Sequence, residues 1–538
     1  MSNRFLSTNV MLLAVVSFCI ASSAGPVFAT DDAKFQECPC KHELAENSKT
    51  ICGYLIVPEN RNNANSRRIK IYLTIYKNPK SHSESGPLLF LTGGPGASTA
   101  QAVELFENKD NNPYIKKTFV DTFRDNRDLI VVDQRGTNYS VPALYCSQET
   151  AGLRRSMYGS SFSEQATARV EAVEACYERL SASGIDLSAY NTFENAADIK
   201  DLRDTLGYDT VNLFGVSYGT RLSMTIMKLY PEILRSVVLD SVLPPEVNPF
   251  DEQPAGVMYA LKSFFRACKT DFPDTEEAFY EIITRLQGNP VNTIGHGTNS
   301  KGKPIQALIP VDAQIFVSYV MGQLRSTPYD ASLPLNIAKI YETQDYSVVA
   351  DAWIGNTNYL FAAGKAGTDA PSLGMFESMA ATSDGHYTTP SKVLSMIYLA
   401  MDNPAIQGWA RNSFIYSEPA IQRLWEVTPV SPDIQYPVIS NIPTMLLSGS
   451  IDSGTPPVWA QDSARYLSHS FVFTILAGHA TTYLGCAAKM MDDFLNDPST
   501  RPTYQCPTTY AWKKAATDKG SEAGPSLGVQ PRNPFDDR

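Results

Sequence analysis

A serine sits at position 217 within Gly215-Val216-Ser217-Tyr218-Gly219, directly after the apolar run Val211-Asn212-Leu213-Phe214 and directly before a helical pattern from Arg221 to Leu229. A short continuous apolar run of this kind reads as a strand buried on both faces. A serine between such a strand and a helix lies on a sharp turn that lifts its hydroxyl into the open and aims the N-terminus of the helix at any negative charge that develops there. Glycines at 215 and 219 let strand and helix approach without side-chain clash. The pentapeptide alone is a common accident of sequence. The strand before it and the helix after it give it meaning, and they commit the chain to an α/β architecture with Ser217 as the candidate nucleophile.

A chain of 538 residues is long enough for one large domain carrying a big insertion, or for two domains. Its net charge of −11 argues against nucleic acid and anionic membrane surfaces as partners. Residues 1–29 read as a signal peptide: Arg4 supplies the positive region, Val10 to Ile20 the apolar stretch, and Val27-Phe28-Ala29 the cleavage site. Phe18 before Cys19 is too large for a lipoprotein signal. No other stretch is long and apolar enough to span a bilayer, so the expected mature protein is soluble and either secreted or periplasmic. Of nine cysteines, loss of Cys19 leaves eight, an even number that suggests disulfides in an exported chain. Eight cysteines allow 105 pairings, and spacing does not choose among them. Cys38 and Cys40 flank Pro39 too closely to pair comfortably, so each is expected to have a distant partner. A zinc site at Cys38, Cys40 and Cys52 lacks a fourth ligand at suitable spacing beyond His42, and no metal or cofactor is expected.

After an N-terminal extension (30 to 45), Cys52 to Val57 and Ile69 to Tyr76 alternate as a hairpin, and Pro87 to Leu91 and Asp128 to Val132 read as buried parallel strands. A helix is predicted over Asn195 to Leu206 and another buried strand over Leu234 to Leu239. The alternation then stops from Pro244 to Ile439, a stretch with helical patterns at Met258 to Cys268 and Glu276 to Leu286 and no clear buried strand. It resumes at Thr444 to Leu447 and Phe471 to Leu476. The expectation is a mainly parallel sheet flanked by helices. Its core spans 30–243 and 440–515, a large, mostly helical cap is inserted late in the sheet over 244–439, and 516–538 form a flexible tail.

A serine hydroxyl needs a base, usually histidine. His479 in Ala477-Gly478-His479-Ala480 follows the strand ending at Leu476, at the same sheet edge as Ser217, whereas His469 precedes that strand and belongs to the opposite edge. Asp452, in Ser448-Gly449-Ser450-Ile451-Asp452, follows the strand Thr444 to Leu447 and is favoured as the acid that orients His479. Asp240, ending the strand from Leu234, lies at the same edge and is the rival. An oxyanion needs backbone donors. The N–H of Tyr218 is one, and Thr92-Gly93-Gly94-Pro95-Gly96 supplies the other, with Gly94 favoured and Gly93 next.

Taken together, Gly93-Gly94-Pro95-Gly96, Asp133-Gln134-Arg135-Gly136, Gly215-Val216-Ser217-Tyr218-Gly219, Asp452 with Thr455-Pro456, and Gly478-His479 resemble the α/β-hydrolase serine peptidases related to proline iminopeptidase, above all their exported tripeptidyl aminopeptidase branch. The resemblance covers about residues 50 to 510 and departs at Thr92, where related sequences often carry histidine. It implies an α/β-hydrolase fold and a serine aminopeptidase that cleaves peptides through an acyl-enzyme. It assigns Asp133 and Arg135 to structural support of the site loops, and it pairs Cys146 with Cys176 and Cys486 with Cys506. Such enzymes hold the substrate ammonium with acidic cap residues, for which Glu246, Asp251 and Glu252 are candidates. Trp353, Tyr359 and Phe361 are candidate pocket or core aromatics. Two other functions fit the same residues: a carboxylic ester or lactone hydrolase, and a binding protein on an inactive hydrolase fold.

Overall fold

The computed structural model describes residues 33–41, 49–80, 85–100, 102–103, 119–151, 153–299, 303–327, 330–361, 364, 366, 371–413 and 423–514. The expected signal peptide (1–29), the expected tail (516–538), His42 and His82 lie outside these residues. Among the described residues, no helix is long and apolar enough to cross a membrane.

Among the described residues, nine strands form one sheet: β1 (Lys34–Glu37), β2 (Thr50–Pro58), β3 (Arg68–Tyr76), β4 (Leu88–Leu91), β5 (Leu129–Val132), β6 (Val211–Val216), β7 (Leu234–Asp240), β10 (Thr444–Gly449) and β11 (Ser470–Ile475). Their spatial order is β1-β2-β3-β5-β4-β6-β7-β10-β11. The first three pair antiparallel, and β3 meets β5 antiparallel. From β5 onward every pairing is parallel. The chain therefore has the α/β-hydrolase architecture expected from its sequence.

The parallel strands are apolar on both sides because both faces are covered. Leu89, Leu91, Leu213, Val237, Leu239 and Leu446 face one core. Their neighbours Leu88, Phe90, Phe214, Val238, Met445 and Leu447 face the other, where the Phe90 and Phe214 rings stack at 4.8 Å. The registers Leu91 to Gly215, Val216 to Asp240, Leu447 to Asp240 and Gly449 to Ile475 bring the C-terminal ends of five strands to one edge.

Between β7 and β10 lies an inserted, mainly helical region with its own apolar core, built from Phe264, Phe279, Phe316, Val320, Ile337 and Trp353 among others. It also contains an antiparallel hairpin, β8 (Val291–Thr298) with β9 (Pro304–Val311), which the sequence reading did not anticipate. Most of the hairpin's residues are exposed or half-buried, so it carries no continuous apolar run to reveal it. Near the C-terminus Trp512 packs edge-on against Phe264 at 5.8 Å and stacks on Tyr510, joining the core of the insertion rather than that of the sheet.

Among the described residues, three disulfides form: Cys40–Cys52, Cys146–Cys176 and Cys486–Cys506. Cys38 and Cys268 are free thiols, so the expectation of a distant partner holds for Cys40 and not for Cys38. Cys38 instead donates its backbone N–H to the carbonyl of Cys52 at 2.9 Å, just beyond the end of β1.

Candidate active site

Ser217 lies on the turn between β6 and the helix Tyr218–Leu229 with φ 57° and ψ −123°. For a non-glycine residue this conformation costs on the order of 1–3 kcal/mol and persists only where the surroundings over-determine it. Here they do: the Ser217 N–H donates to the Asp240 carbonyl at 3.0 Å and its own carbonyl accepts from Thr220. A Cβ on Gly219 would overlap the Leu91 carbonyl, so the helix can start this close to β4 only with glycine there.

Ser217 and His479 line one cavity of about 620 Å³, together with Thr92, Gly93, Gly94 and Tyr483. The Nδ1 of His479 lies 2.8 Å from the Oδ2 of Asp452. Asp452 is fully buried, and both of its oxygens are engaged. Its Oδ1 accepts from the backbone N–H groups of Gly454 (2.7 Å) and Thr455 (3.1 Å), and its Oδ2 also accepts from the Thr455 hydroxyl at 2.6 Å. Burial pushes this carboxyl up, but the His479 ring, the Thr455 hydroxyl and the Arg325 guanidinium outweigh it and bring it down to about 2. With Nδ1 occupied by Asp452, Nε2 is the ring nitrogen left for a proton exchange with a hydroxyl.

Asp240, the rival acid, does not reach the imidazole. Its carboxylate accepts from the backbone N–H and hydroxyl of both Thr481 and Thr482, at 2.7–3.0 Å, and so grips the loop just beyond His479. His469 lies at the opposite sheet edge, its Nδ1 3.0 Å from the Asn441 carbonyl.

On the other side of Ser217, Gly93 is the glycine that faces it: a Cβ at Gly93 would stand 2.5 Å from the Ser217 Cβ and 3.1 Å from its Oγ. Gly94 follows with φ 107° and lines the same cavity. The loop is held from behind by the Asp-Gln-Arg-Gly segment. Gln134 donates to the Thr92 carbonyl at 2.8 Å, and Asp133 accepts from the N–H groups of Thr99 and Ala100 and the Ser98 hydroxyl. Arg135 turns away and forms a two-pronged pair with Asp198. The Tyr218 ring is buried against Thr192 and Met379, which leaves only its backbone N–H as a candidate donor to the site.

The three acidic candidates are elsewhere. Glu246, Asp251 and Glu252 are not among the described residues that line the Ser217–His479 cavity. Asp251 is ion-paired with Lys392 at 2.5 Å, and Glu246 accepts from the Ser463 hydroxyl. Burial pushes the carboxyls of both Glu246 and Glu252 up. Among the aromatics, Tyr359 lines the cavity, while Trp353 and Phe361 are buried. Sequence reasoning gives no role to Thr455, Thr481 or Thr482, because nothing in a threonine marks it as the donor to a particular buried carboxylate. Among the described residues, no group of three or more His, Cys, Asp or Glu side chains is placed to hold a metal.

A family model described as alpha/beta hydrolase fold matches residues 86–281, and one described as TAP-like protein matches residues 412–506. The tripeptidyl aminopeptidase of Streptomyces lividans is 30% identical over 201 residues, 36% of this chain and 35% of that protein. The serine protease Hip1 of Mycobacterium tuberculosis is 25% identical over 228 residues, 40% of this chain and 41% of its own. The carboxylesterase B of Mycobacterium tuberculosis is 26% identical over 276 residues, 47% of this chain and 50% of its own. The chain thus spans about a third to a half of the length of the curated relatives it matches.

Proposed function

We propose that this chain, which belongs to the alpha/beta hydrolases and carries a TAP-like segment near its C-terminus, is an exported serine peptidase that removes amino-acyl or tripeptidyl units from peptide N-termini. The observation that carries the reading is the His479–Asp452 hydrogen bond at 2.8 Å beside the cavity that Ser217 shares with His479.

Ser217 Oγ attacks the substrate carbonyl as His479 Nε2 takes its proton. Asp452 holds the ring in the tautomer that leaves Nε2 free and stabilises the imidazolium once formed. The tetrahedral oxyanion lies against the backbone N–H of Tyr218 and an N–H of the Gly93–Gly94 loop. His479 returns the proton to the leaving amine, the C–N bond breaks, and an acyl-enzyme remains. Water, deprotonated by His479, then releases the acyl group and regenerates Ser217. The similarity to a tripeptidyl aminopeptidase and a serine protease supports the peptide substrate. The N-terminal signal pattern and the three disulfides support export.

The similarity to a carboxylesterase favours one second reading, ester hydrolysis by the same residues. Purified protein and its Ser217→Ala variant, assayed on tripeptidyl amides, their N-acetylated forms and short-chain esters, separate the two. Ser217-dependent cleavage confined to free-amine amides supports the aminopeptidase. Turnover of esters alone refutes it.

A further inference from the structure

We propose that Arg325 recognises a carboxylate on the leaving-group side of the site, so that the preferred substrates are short peptides whose free C-terminal carboxylate falls within the first few residues after the cut. The inference rests on the reading of Ser217 as nucleophile and His479 as base.

Arg325 stands where the helix Ala313–Leu324 of the inserted region ends, and it is tied to His479 through the backbone. Its carbonyl accepts the His479 N–H at 2.9 Å, and the next carbonyl, of Ser326, accepts the Gly478 N–H at 3.2 Å. The approach is close enough to require glycine at 478, where a Cβ would come within 2.6 Å of the Leu324 oxygen. The guanidinium lies against Gly454, where a Cβ would meet its Cζ and Nη2 at 3.2 Å, and Arg325 lines the cavity with Ser217 and His479.

The guanidinium has donors to spare. The neighbouring carboxylate of Asp452 accepts two hydrogen bonds on each oxygen, which fills its lone pairs. Arg325 is exposed, and its side chain forms no hydrogen bond or ion pair among the described residues. Arg169, the other arginine among the described lining residues, is paired with the buried Glu377 at 3.4 Å. No Asp or Glu is among the described lining residues. A planar guanidinium with free donors in a cavity of this polarity matches a carboxylate, which it binds through two parallel N–H···O bonds, and it repels an ammonium.

Its side of the cavity follows from its attachment. His479 delivers the proton to the departing amine, so the residue bonded to the backbone of His479 flanks the leaving group. A peptide that departs with its own α-carboxylate near the new amine presents that anion there. A cavity of about 620 Å³ suits a short peptide.

The test compares kcat/KM on one short peptide as the free acid and as its C-terminal amide, for the wild type, Arg325→Gln and Arg325→Lys. Fluorophosphonate labelling of Ser217 in each protein reports an assembled site. The expected result is a preference of roughly tenfold or more for the acid in the wild type, its loss in R325Q and partial retention in R325K. Equal rates on acid and amide in the wild type, or a preference that survives in R325Q, would overturn the role of Arg325 and leave the peptidase reading intact. Cleavage of neither peptide by a protein that labels at Ser217 would overturn the peptidase reading, and the inference with it.

Discussion

The main-chain oxygen of Asp240 accepts the N–H of Ser217 at 3.0 Å, while the carboxylate of the same residue holds Thr481 and Thr482, the second and third residues after His479. One buried residue at the end of β7 thus links, through its main-chain oxygen, the turn that carries the candidate nucleophile and, through its carboxylate, the loop that carries the candidate base. Its neighbour Ser241 adds a second tie by accepting the Ala480 N–H at 2.7 Å. In Asp240→Asn the amide group would face hydroxyl and N–H donors with donors of its own, and the loop would shift. We expect kcat to fall roughly tenfold to a hundredfold with little change in KM, from the cost of one to two unmatched buried hydrogen bonds. Steady-state kinetics with thermal melts decide the matter: a lower Tm at unchanged kcat would make Asp240 a stability residue only.

Gly93 gives a steric prediction. A methyl group there would press on the Ser217 Cβ, the Ser217 Oγ and the Val216 carbonyl. Gly93→Ala should lower kcat on the order of a hundredfold or more, since the side chain that must move is that of the proposed nucleophile, Ser217. Near-wild-type turnover in G93A would show that the loop yields without cost.

The Asp452 carboxyl, brought down to about 2 in the folded chain, makes stability depend on pH. A carboxyl that ionises more readily folded than unfolded contributes fully above its ordinary range, near pH 4, and loses that contribution as pH falls toward 2. The loss amounts to about 2 kcal/mol. Urea unfolding of the wild type and of Asp452→Asn between pH 5 and pH 2 should show curves that converge as the solution is acidified. Parallel curves would mean that the ionised form of Asp452 is not favoured by folding.

Among the disulfides, Cys146–Cys176 closes the longest loop, with a sequence separation of 30, against 12 for Cys40–Cys52. Loop-closure entropy gives it roughly 3–4 kcal/mol. The double variant Cys146→Ser/Cys176→Ser should therefore lower the denaturation midpoint more than Cys40→Ser/Cys52→Ser does. Equal midpoints would indicate that the unfolded chain is already constrained near residue 146.

The sheet edge is legible in the sequence because parallel strands covered on both faces, such as Val211–Val216 and Thr444–Gly449, must be largely apolar, and the residues just beyond them must share an edge. That logic brings Ser217, Asp452 and His479 to one place and sends His469 to the other. It does not reach β8 and β9, which lie mostly at the surface and have no such run. Nor does it tell which of two edge carboxylates meets the imidazole, because Asp240 ends β7 and Asp452 follows the neighbouring β10 at the same edge; the decision falls to loop geometry around Thr455 and Thr481. Glu246 and Glu252 look suited to an ammonium by position in the chain, yet they do not line the cavity, since the way a turn such as that at Glu246 or a helix face such as that of Glu252 points is set by tertiary packing. Arg325 escapes notice for the same reason: its place depends on a contact between Leu324–Ser326 and Gly478 that no local pattern encodes.

The central claim is that Ser217 is a nucleophile activated by His479 and Asp452. The most direct measurement is mass-spectrometric mapping of the adduct formed with a fluorophosphonate probe, with rates compared among the wild type, Ser217→Ala and His479→Ala. The account predicts a single adduct on Ser217, none in S217A, and labelling slowed by several orders of magnitude in H479A. A folded wild-type protein that takes up no probe, or that labels at another residue, would contradict it.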